Sequence, residues 1–243
     1  MMSAQGLAKA FGGVQAVRGV TLRAEDGAIT GLLGPNGAGK STTLRMLCTV
    51  LRPDAGEAWI DAAHTVRDAL DARRQLGMLT HDSGLYPHLT ARENILYFAE
   101  LHGMARAARE RRADELIEWL EMGAFAGRRA KGYSQGQRIK TALARALVHS
   151  PRNVLLDEPT NGLDVMAVRN LRVLLARLRD AGHCVLFSSH VMQEVSGLCD
   201  VVFVLARGEV VAHGTPDALR AATGCASLED AFVKLIGTDE GLG

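Results

Sequence analysis

The feature that most constrains this chain is the stretch AITGLLGPNGAGKST, residues 28–42. Its first half is apolar on successive residues, which is typical of a strand buried on both faces. Its second half fits the pattern G-x-x-x-x-G-K-S/T at Gly34, Gly39, Lys40 and Ser41. Glycines let backbone N–H groups turn inward on an anion, and the following helix adds its positive end. A strand, a glycine loop and a helix in this order predict a site for nucleotide phosphates.

Each part of this loop has a chemical task. Lys40 is expected to reach the β- and γ-phosphates, and Ser41 is expected to offer its hydroxyl to Mg²⁺. The residues expected to contact the nucleotide in this stretch are Gly34, Pro35, Asn36, Gly37, Ala38, Gly39, Lys40, Ser41 and Thr42.

Two further strand ends carry polar side chains. In NVLLDE a mostly apolar run ends at Asp157, which places its carboxylate beside the glycine loop, where it suits a Mg²⁺ contact through water. Glu158 follows and is expected to polarise the attacking water as a general base. His190 closes FSSH and is expected to contact the γ-phosphate. Without the glycine loop, the acids would equally fit a strand with a solvated end, and a lone histidine is usually structural.

The rest of the chain alternates strands and helices on either side of a mostly helical segment. Strand-like runs lie at 6–10, 17–24, 57–60, 76–79, 153–158, 183–189, 201–206 and 208–214. Strands that alternate with helices predict a parallel sheet covered by helices. We expect one α/β domain over 1–226, with a core lobe of 1–84 and 151–226 and a helical lobe of 85–150. A last helix and tail take 227–243.

The helical lobe contains a second candidate for anion binding, the stretch YSQGQ. Ser134 and Gln137 form an S-x-x-Q capping box, which predicts a helix start, and Gly136 leaves the backbone there open to close approach. An ordinary capped helix explains the same residues. Thr90 and Glu93 form a similar box at the start of an earlier helix.

Charge and cysteine content exclude several classes of protein. A formal net charge of +1 gives no electrostatic footprint for nucleic acid. No apolar run approaches the ~18 residues that cross a bilayer, and the N-terminus lacks the apolar core of a signal peptide. The four cysteines show no metal-binding spacing and are expected to be buried or free thiols. The composition therefore predicts a protein of a reducing cytoplasm.

Taken together, the motifs resemble those of an ATP-binding cassette (ABC) ATPase over nearly the whole chain. GPNGAGKST resembles the Walker A loop, VLLDE resembles Walker B, and YSQGQ resembles the signature sequence LSGGQ. NGLD, ending at Asp164, resembles the D-loop, and His190 resembles the switch histidine. Phe11 stands where the family places an aromatic ring that stacks on adenine. LLGPNGAGKST, GLYPHLTARENI and LEDAFVKL resemble cytoplasmic subunits of exporters, and LTHDSGLY is most similar to the sodium-export type.

The resemblance implies a fold, a reaction and two partners. The fold is the P-loop cassette, a RecA-like mixed sheet core with an antiparallel edge and a helical insert. Two such subunits dimerise head to tail, so that the P-loop of one and the Ser134, Gly136 and Gln137 of the other enclose the same ATP. The cofactors implied are ATP and Mg²⁺. The second implied partner is a separate membrane permease. The subunit lies at the cytoplasmic face of that permease and passes its motion on ATP hydrolysis to it.

Two positions depart from the family pattern. His81 stands where the family has a glutamine that touches Mg²⁺ and the nucleophilic water. A neutral imidazole can accept a hydrogen bond there, but it can also charge near its usual pKa of ~6.5. Gln135 takes the third position of the signature, and its side chain must point away from the phosphate.

Two other kinds of protein would share some of these motifs. A soluble cassette ATPase acting on DNA or ribosomes would be expected to carry long heptads or a basic patch, which this chain lacks. A degenerate regulatory module would lack part of the set Lys40, Asp157, Glu158 and His190.

Leu85 and Tyr86 follow Gly84 at the joint between the lobes. They are expected either to bind the permease or to pack under the insert.

Overall fold

The computed structural model describes residues 1–80 and 84–237. The strands are β1 (Met2–Phe11), β2 (Val14–Ala24), β3 (Ile29–Leu33), β4 (Ala55–Ile60), β5 (Ala63–His64), β6 (Leu76–Leu79), β7 (Asn153–Asp157), β8 (Cys184–Ser189), β9 (Val201–Ala206) and β10 (Glu209–Gly214). The helices are α1 (Lys40–Leu47), α2 (Ala69–Arg74), α3 (Ala91–Leu101), α4 (Arg106–Trp119), α5 (Gln135–Leu147), α6 (Val165–Asp180), α7 (Met192–Ser196), α8 (Pro216–Thr223) and α9 (Leu228–Ile236), with a 3₁₀ turn at Ala130–Gly132.

The strands form two sheets. The larger has the order β10-β9-β3-β8-β7-β6, parallel throughout except for β10, which pairs antiparallel with β9 at one edge. The smaller is antiparallel, with the order β2-β1-β4-β5. This arrangement confirms the predicted α/β fold, a mixed sheet core with an antiparallel edge.

Apolar side chains cover both faces of the parallel sheet. All five residues of β3 are buried, as its continuous apolar sequence predicts. One cluster fills the space between this sheet, the helical insert and α6, and a second joins α1 to the antiparallel sheet. Burial raises the pKa of the Cys48 and Cys184 thiols to about 11, so these free cysteines behave as small apolar side chains.

The insert between β6 and β7 consists of α3, α4 and α5. Both predicted capping boxes are present, Thr90 with Glu93 ahead of α3 and Ser134 with Gln137 ahead of α5. The carboxyl-terminal end of α5 packs directly against β6 of the core sheet. A Cβ on Gly77 of β6 would stand 2.3 Å from the Ala146 carbonyl oxygen, so only glycine permits this approach.

Some elements differ from the sequence predictions. The short strand β5 and the helix α8 were not predicted. Helix α8 carries a clear start signal, since the Thr215 hydroxyl accepts from the Ala218 N–H and Pro216 occupies the first turn. In the part of the chain that the structure describes, no helix is long and apolar enough to cross a membrane.

Candidate functional site

The glycine loop between β3 and α1 is fixed by contacts that only glycine allows. A Cβ on Gly34 would lie 2.5 Å from the Leu205 carbonyl oxygen. Gly39 has a φ of 98°, in the left-handed region, and a Cβ there would lie 2.6 Å from the carbonyl oxygen of Ala16. The loop is thus held between β2 and β9 at the carboxyl end of the parallel strands, where ligands bind in open α/β sheets.

Lys40 is buried inside this loop at 5% exposure. Its Nζ donates to the carbonyl oxygens of Gly34 at 2.8 Å and Pro35 at 3.0 Å, and lies 3.5 Å from Glu158 Oε1. Burial lowers the pKa of Lys40, and the carboxylates of Glu158 and Asp157 act in the opposite direction. The Lys40 ammonium group therefore lies within the loop, at the place where an anion would bind.

The predicted magnesium ligands, Ser41 at the start of α1 and Asp157 at the end of β7, are in contact. Ser41 Oγ donates to Asp157 Oδ1 at 3.1 Å, and Ser188 Oγ donates to the same oxygen at 2.7 Å. Asp157 and Ser188 are register partners on β7 and β8, so the sheet itself sets this distance. A hydroxyl beside a carboxylate is the kind of oxygen donor set that Mg²⁺ takes, so these residues fit the ion.

Glu158 sits just beyond the strand in a left-handed conformation, with a φ of 48°. Such a φ is strained for glutamate, and here it is held by the bond from its own N–H to Ser188 Oγ at 2.9 Å. His190 Nδ1 lies 3.4 Å from Glu158 Oε1, and the imidazole is 42% exposed. Lys40, Glu158 and His190 therefore face one another at the sheet edge, as predicted.

Phe11 ends β1 with half of its surface exposed, and the Lys9 ammonium lies 5.8 Å from the ring centre. An exposed ring at this point has a face free for stacking, and its role toward adenine stays a prediction.

The signature residues lie on the surface of the insert. Ser134 is exposed, its Oγ accepting from the Gln137 N–H at 3.3 Å and its own N–H donating to Gln137 Oε1 at 3.1 Å. Asp164 caps α6, because its carboxylate accepts from the Ala167 N–H at 2.8 Å. The two helix starts are neighbours, since a Cβ on Gly136 would lie 3.7 Å from Ala167 Cβ.

Gln135, the unusual residue of the signature, lies toward the D-loop. A Cβ built on Gly162 would be 3.9 Å from Gln135 Cγ. The Gln135 side chain therefore lies near the D-loop of its own chain, and its direction relative to the phosphate stays a prediction. His81, the other departure, lies outside the described residues.

Sequence reasoning missed several residues that hold this site. Ser188 and Ser189 fill FSSH but received no role, although hydroxyls at a strand end beside two acids are natural hydrogen-bond donors. Tyr133, the first residue of YSQGQ, accepts from the Ala91 N–H at 3.1 Å and donates to the Arg128 carbonyl at 2.7 Å. It thereby ties the loop before α5 to the start of α3. Glu194 also received no role.

Comparison with known proteins decides the family. The model of the ABC transporter family matches residues 17–161. The chain belongs to the ABC transporter family. It is 41% identical over 207 residues to the ABC transporter ATP-binding protein NatA of Bacillus subtilis (strain 168), covering 85% of this chain and 84% of that protein. It is 36% identical to the daunorubicin/doxorubicin resistance ATP-binding protein DrrA of Streptomyces peucetius, covering 90% of this chain and 66% of that one.

A solved cassette gives the same fold. It is a dimeric ATP-binding cassette in a post-hydrolysis state, bound to ADP and phosphate. Its TM-score to this chain is 0.78 at 29% identity, and the match covers 88% of this chain and 98% of that one. As a member of this family, the chain is an ATP-binding and ATP-hydrolysing subunit of an ABC transporter.

Proposed function

We propose that this subunit powers an exporter by hydrolysing ATP with Mg²⁺ between two copies of itself, on the cytoplasmic face of the membrane. The observation that carries the proposal is the position of Glu158 Oε1 at the end of the parallel sheet, 3.5 Å from Lys40 Nζ and 3.4 Å from His190 Nδ1. A buried cation, a base and an exposed histidine are the parts that phosphoryl transfer to water needs.

Each residue has a task in that reaction. Lys40 leaves its loop carbonyls to neutralise charge on the β- and γ-phosphates, and the loop N–H groups bind their oxygens. Glu158 accepts the proton of the water that attacks the γ-phosphorus, and His190 hydrogen-bonds a γ-phosphate oxygen. Ser41 and Asp157 would hold Mg²⁺, which supplies charge neutralisation on the phosphates when it is bound. Phe11 stacks on the adenine.

The second copy completes the site. Its Ser134, Gly136 and Gln137 present a helix start, with its partial positive charge, to the γ-phosphate of the first copy's ATP. Asp164 lies beside that helix start and faces the same junction. His81 is proposed to accept a hydrogen bond from the nucleophilic water in place of glutamine.

Glu158→Gln tests the reaction. The amide cannot accept the proton, so kcat should fall about a thousandfold, within the range that general bases contribute. ATP binding and an ATP-trapped dimer should persist, seen by calorimetry and light scattering. Glu118→Gln, an exposed acid on α4, is the matched control and should leave kcat unchanged. A wild-type rate in Glu158→Gln would remove the assigned base.

The permease is proposed to dock on the joint between the lobes. Leu85 packs against the core, in agreement with the second of its two predicted roles. Tyr86 is 45% exposed and meets Tyr97 edge to face at 5.2 Å, so an aromatic surface stands at the rim. The groove beside it contains Arg73, His102, Arg145 and His149. Burial lowers the pKa of His102 and lowers that of His149 to about 4, so the arginines are the cations of this groove and favour a partner segment with aromatic and acidic residues.

Tyr86→Ser with Tyr97→Ser tests this docking. The pair should weaken recovery of the subunit with permease-containing membranes and leave the free subunit's ATPase and Tm unchanged, because both rings lie at the surface. Val233→Ser is the control, with the same 45% exposure on α9. Equal membrane recovery of the aromatic variant and the control would place the permease elsewhere.

A further inference from the structure

Glu194, on the short helix α7, is a buried acid to which the reaction above gives no task. It is only 7% exposed. Burial of a carboxylate is costly unless hydrogen bonds replace the lost water, so a buried acid at a site edge calls for a physical reason.

Both of its short bonds end on one oxygen. Glu194 Oε2 accepts from Thr160 Oγ1 at 2.7 Å and from Ser189 Oγ at 2.7 Å. Thr160 stands two residues after Glu158, and Ser189 immediately precedes His190. One carboxylate oxygen therefore holds together Thr160, close to the general base, and Ser189, next to the switch histidine. We call these two hydrogen bonds to Glu194 Oε2 the clasp.

The clasp extends into the backbone on both sides. Ser189 Oγ accepts from the Val191 N–H at 2.9 Å, and the Ser189 carbonyl accepts from the Gly34 N–H at 3.3 Å. On the other side, the Thr160 carbonyl accepts from the Leu163 N–H at 3.1 Å, in the turn that leads to Asp164. The clasp thus connects the phosphate loop, the switch histidine and the D-loop.

Two arginines lie near Glu194, and one of them has another partner. Arg169 and Arg172 line the cavity beside Glu194, and the Arg172 guanidinium donates to the Gln193 carbonyl oxygen at 2.7 Å. The carboxylate accepts its hydrogen bonds from the two hydroxyls. Hydrogen bonds to an ionised acceptor are shorter and stronger than neutral ones, which suits a fixed joint between two loops.

We propose that Glu194 is a positioning residue that makes the switch histidine and the D-loop move together. The inference rests on the proposed function, because only a dimer gives the D-loop a second ATP site to face. When His190 shifts on its γ-phosphate, Ser189 pulls on Glu194 and Glu194 on Thr160, so the turn carrying Asp164 follows. Glu194 thereby couples the state of one ATP site to the other.

The test is a comparison of Glu194→Ala with Glu194→Gln. The alanine variant should lose about tenfold in kcat, since bonds to charged groups are the strong ones. Its Hill coefficient for ATP should fall toward one, while ATP affinity of the monomer stays at the wild-type value. The amide oxygen of glutamine can accept both hydroxyls at the same point, so Glu194→Gln should restore most of kcat and of the Hill coefficient.

Leu219→Ala is the control that distinguishes a positioning role of Glu194 from a purely stabilising one. Leu219 is a buried residue of α8, away from the site, and its truncation lowers Tm through a cavity. It should leave kcat and the Hill coefficient unchanged at a temperature where both variants are folded. Equal kinetic losses in Leu219→Ala and Glu194→Ala would make Glu194 merely structural and overturn the inference.

Thr160→Val and Ser189→Ala complete a mutant cycle. Each should lower kcat in the wild-type background and should lower it by much less beside Glu194→Ala, because both hydroxyls donate to the same oxygen. Independent, multiplying losses would refute the clasp. A wild-type protein without ATPase activity would sink the proposed function itself, whereas an active Glu194→Ala with an unchanged Hill coefficient sinks this inference alone.

Discussion

The starts of α1 and α5 both suit an anion, and they are built in opposite ways. Helix α1 begins after Gly39 in the left-handed region, and no described side chain caps its first turn. Its lysine, Lys40, is buried. Helix α5 begins after Ser134, whose side chain already accepts from the Gln137 N–H, and Ser134 is exposed. The first is a cradle within its own chain, and the second is a finished helix end on a surface.

The difference is the one expected if the two helix starts bind one phosphate from different copies of the chain. A loop that encloses a phosphate needs glycines, because its backbone must come close to neighbouring strands. A helix start that meets a phosphate from another molecule must be stable alone, so it carries its own cap. The capping box is thus compatible with a role in trans, and the following substitutions test that role.

Ser134→Arg should have the largest effect, loss of measurable ATPase activity. A bulky cation at the exposed helix start would obstruct the second copy's approach but leave the cradle on α1 intact. Monomeric ATP affinity, measured by calorimetry, should therefore match wild type. Loss of that affinity would mean that α5 contacts the nucleotide of its own chain.

Mixing Ser134→Arg with Lys40→Ala sharpens this test. A mixed pair retains one composite site, formed by the intact Lys40 of one copy and the intact Ser134 of the other. The mixture should regain part of the ATPase activity that each variant lacks alone. No recovery at any mixing ratio would argue against shared sites.

Lys40→Ala should come next, with roughly a hundredfold loss of ATP affinity, since hydrogen bonds from a cation to phosphate are worth about 1.5–3 kcal/mol. Calorimetry on the monomer measures it. Lys131→Ala removes an exposed lysine in the loop ahead of α5 and should leave the affinity unchanged. Similar losses in both variants would mean that general positive charge, rather than the cradle, binds ATP.

Ser134→Ala should have the smallest effect, because it removes only the cap. We expect a loss of about 1 kcal/mol in the free energy of unfolding, typical for an N-cap hydroxyl. Urea denaturation measures it, and Ser227→Ala, the cap of α9, is a matched comparison. An unchanged midpoint in Ser134→Ala alone would show that the box does not stabilise α5.

The sequence predicted the parts of the fold that have strong local signals. Continuous apolar strands such as β3 and the capping box at Ser134 need only neighbours along the chain. The two-residue strand β5 has no such signal, since it forms only by pairing with β4. The start of α8 at Thr215 had a signal, a cap followed by proline, that went unused.

The same division holds for the site. Lys40 and Asp157 could be named from motifs, because each stands at a fixed place in a strand-loop-helix unit. Glu194 could not be named, since its partners Thr160 and Ser189 lie 34 and 5 positions away and meet only in the folded chain. The cap that Asp164 forms on α6 was also missed, although aspartate before a helix is a common start signal.

The contact of Gly77 with the Ala146 carbonyl gives α5 a mechanical property. It presses the last turn of the helix onto β6, and the first turn stands free at the surface beside Ser134. A helix of 13 residues is about 20 Å long, so a tilt of about 10° around that contact displaces its far end by about 3 Å. That displacement equals the length of a hydrogen bond. Helix α5 therefore has the proportions of a lever whose fixed end lies at Gly77 and whose free end carries Ser134, the residue proposed to meet the second copy's nucleotide.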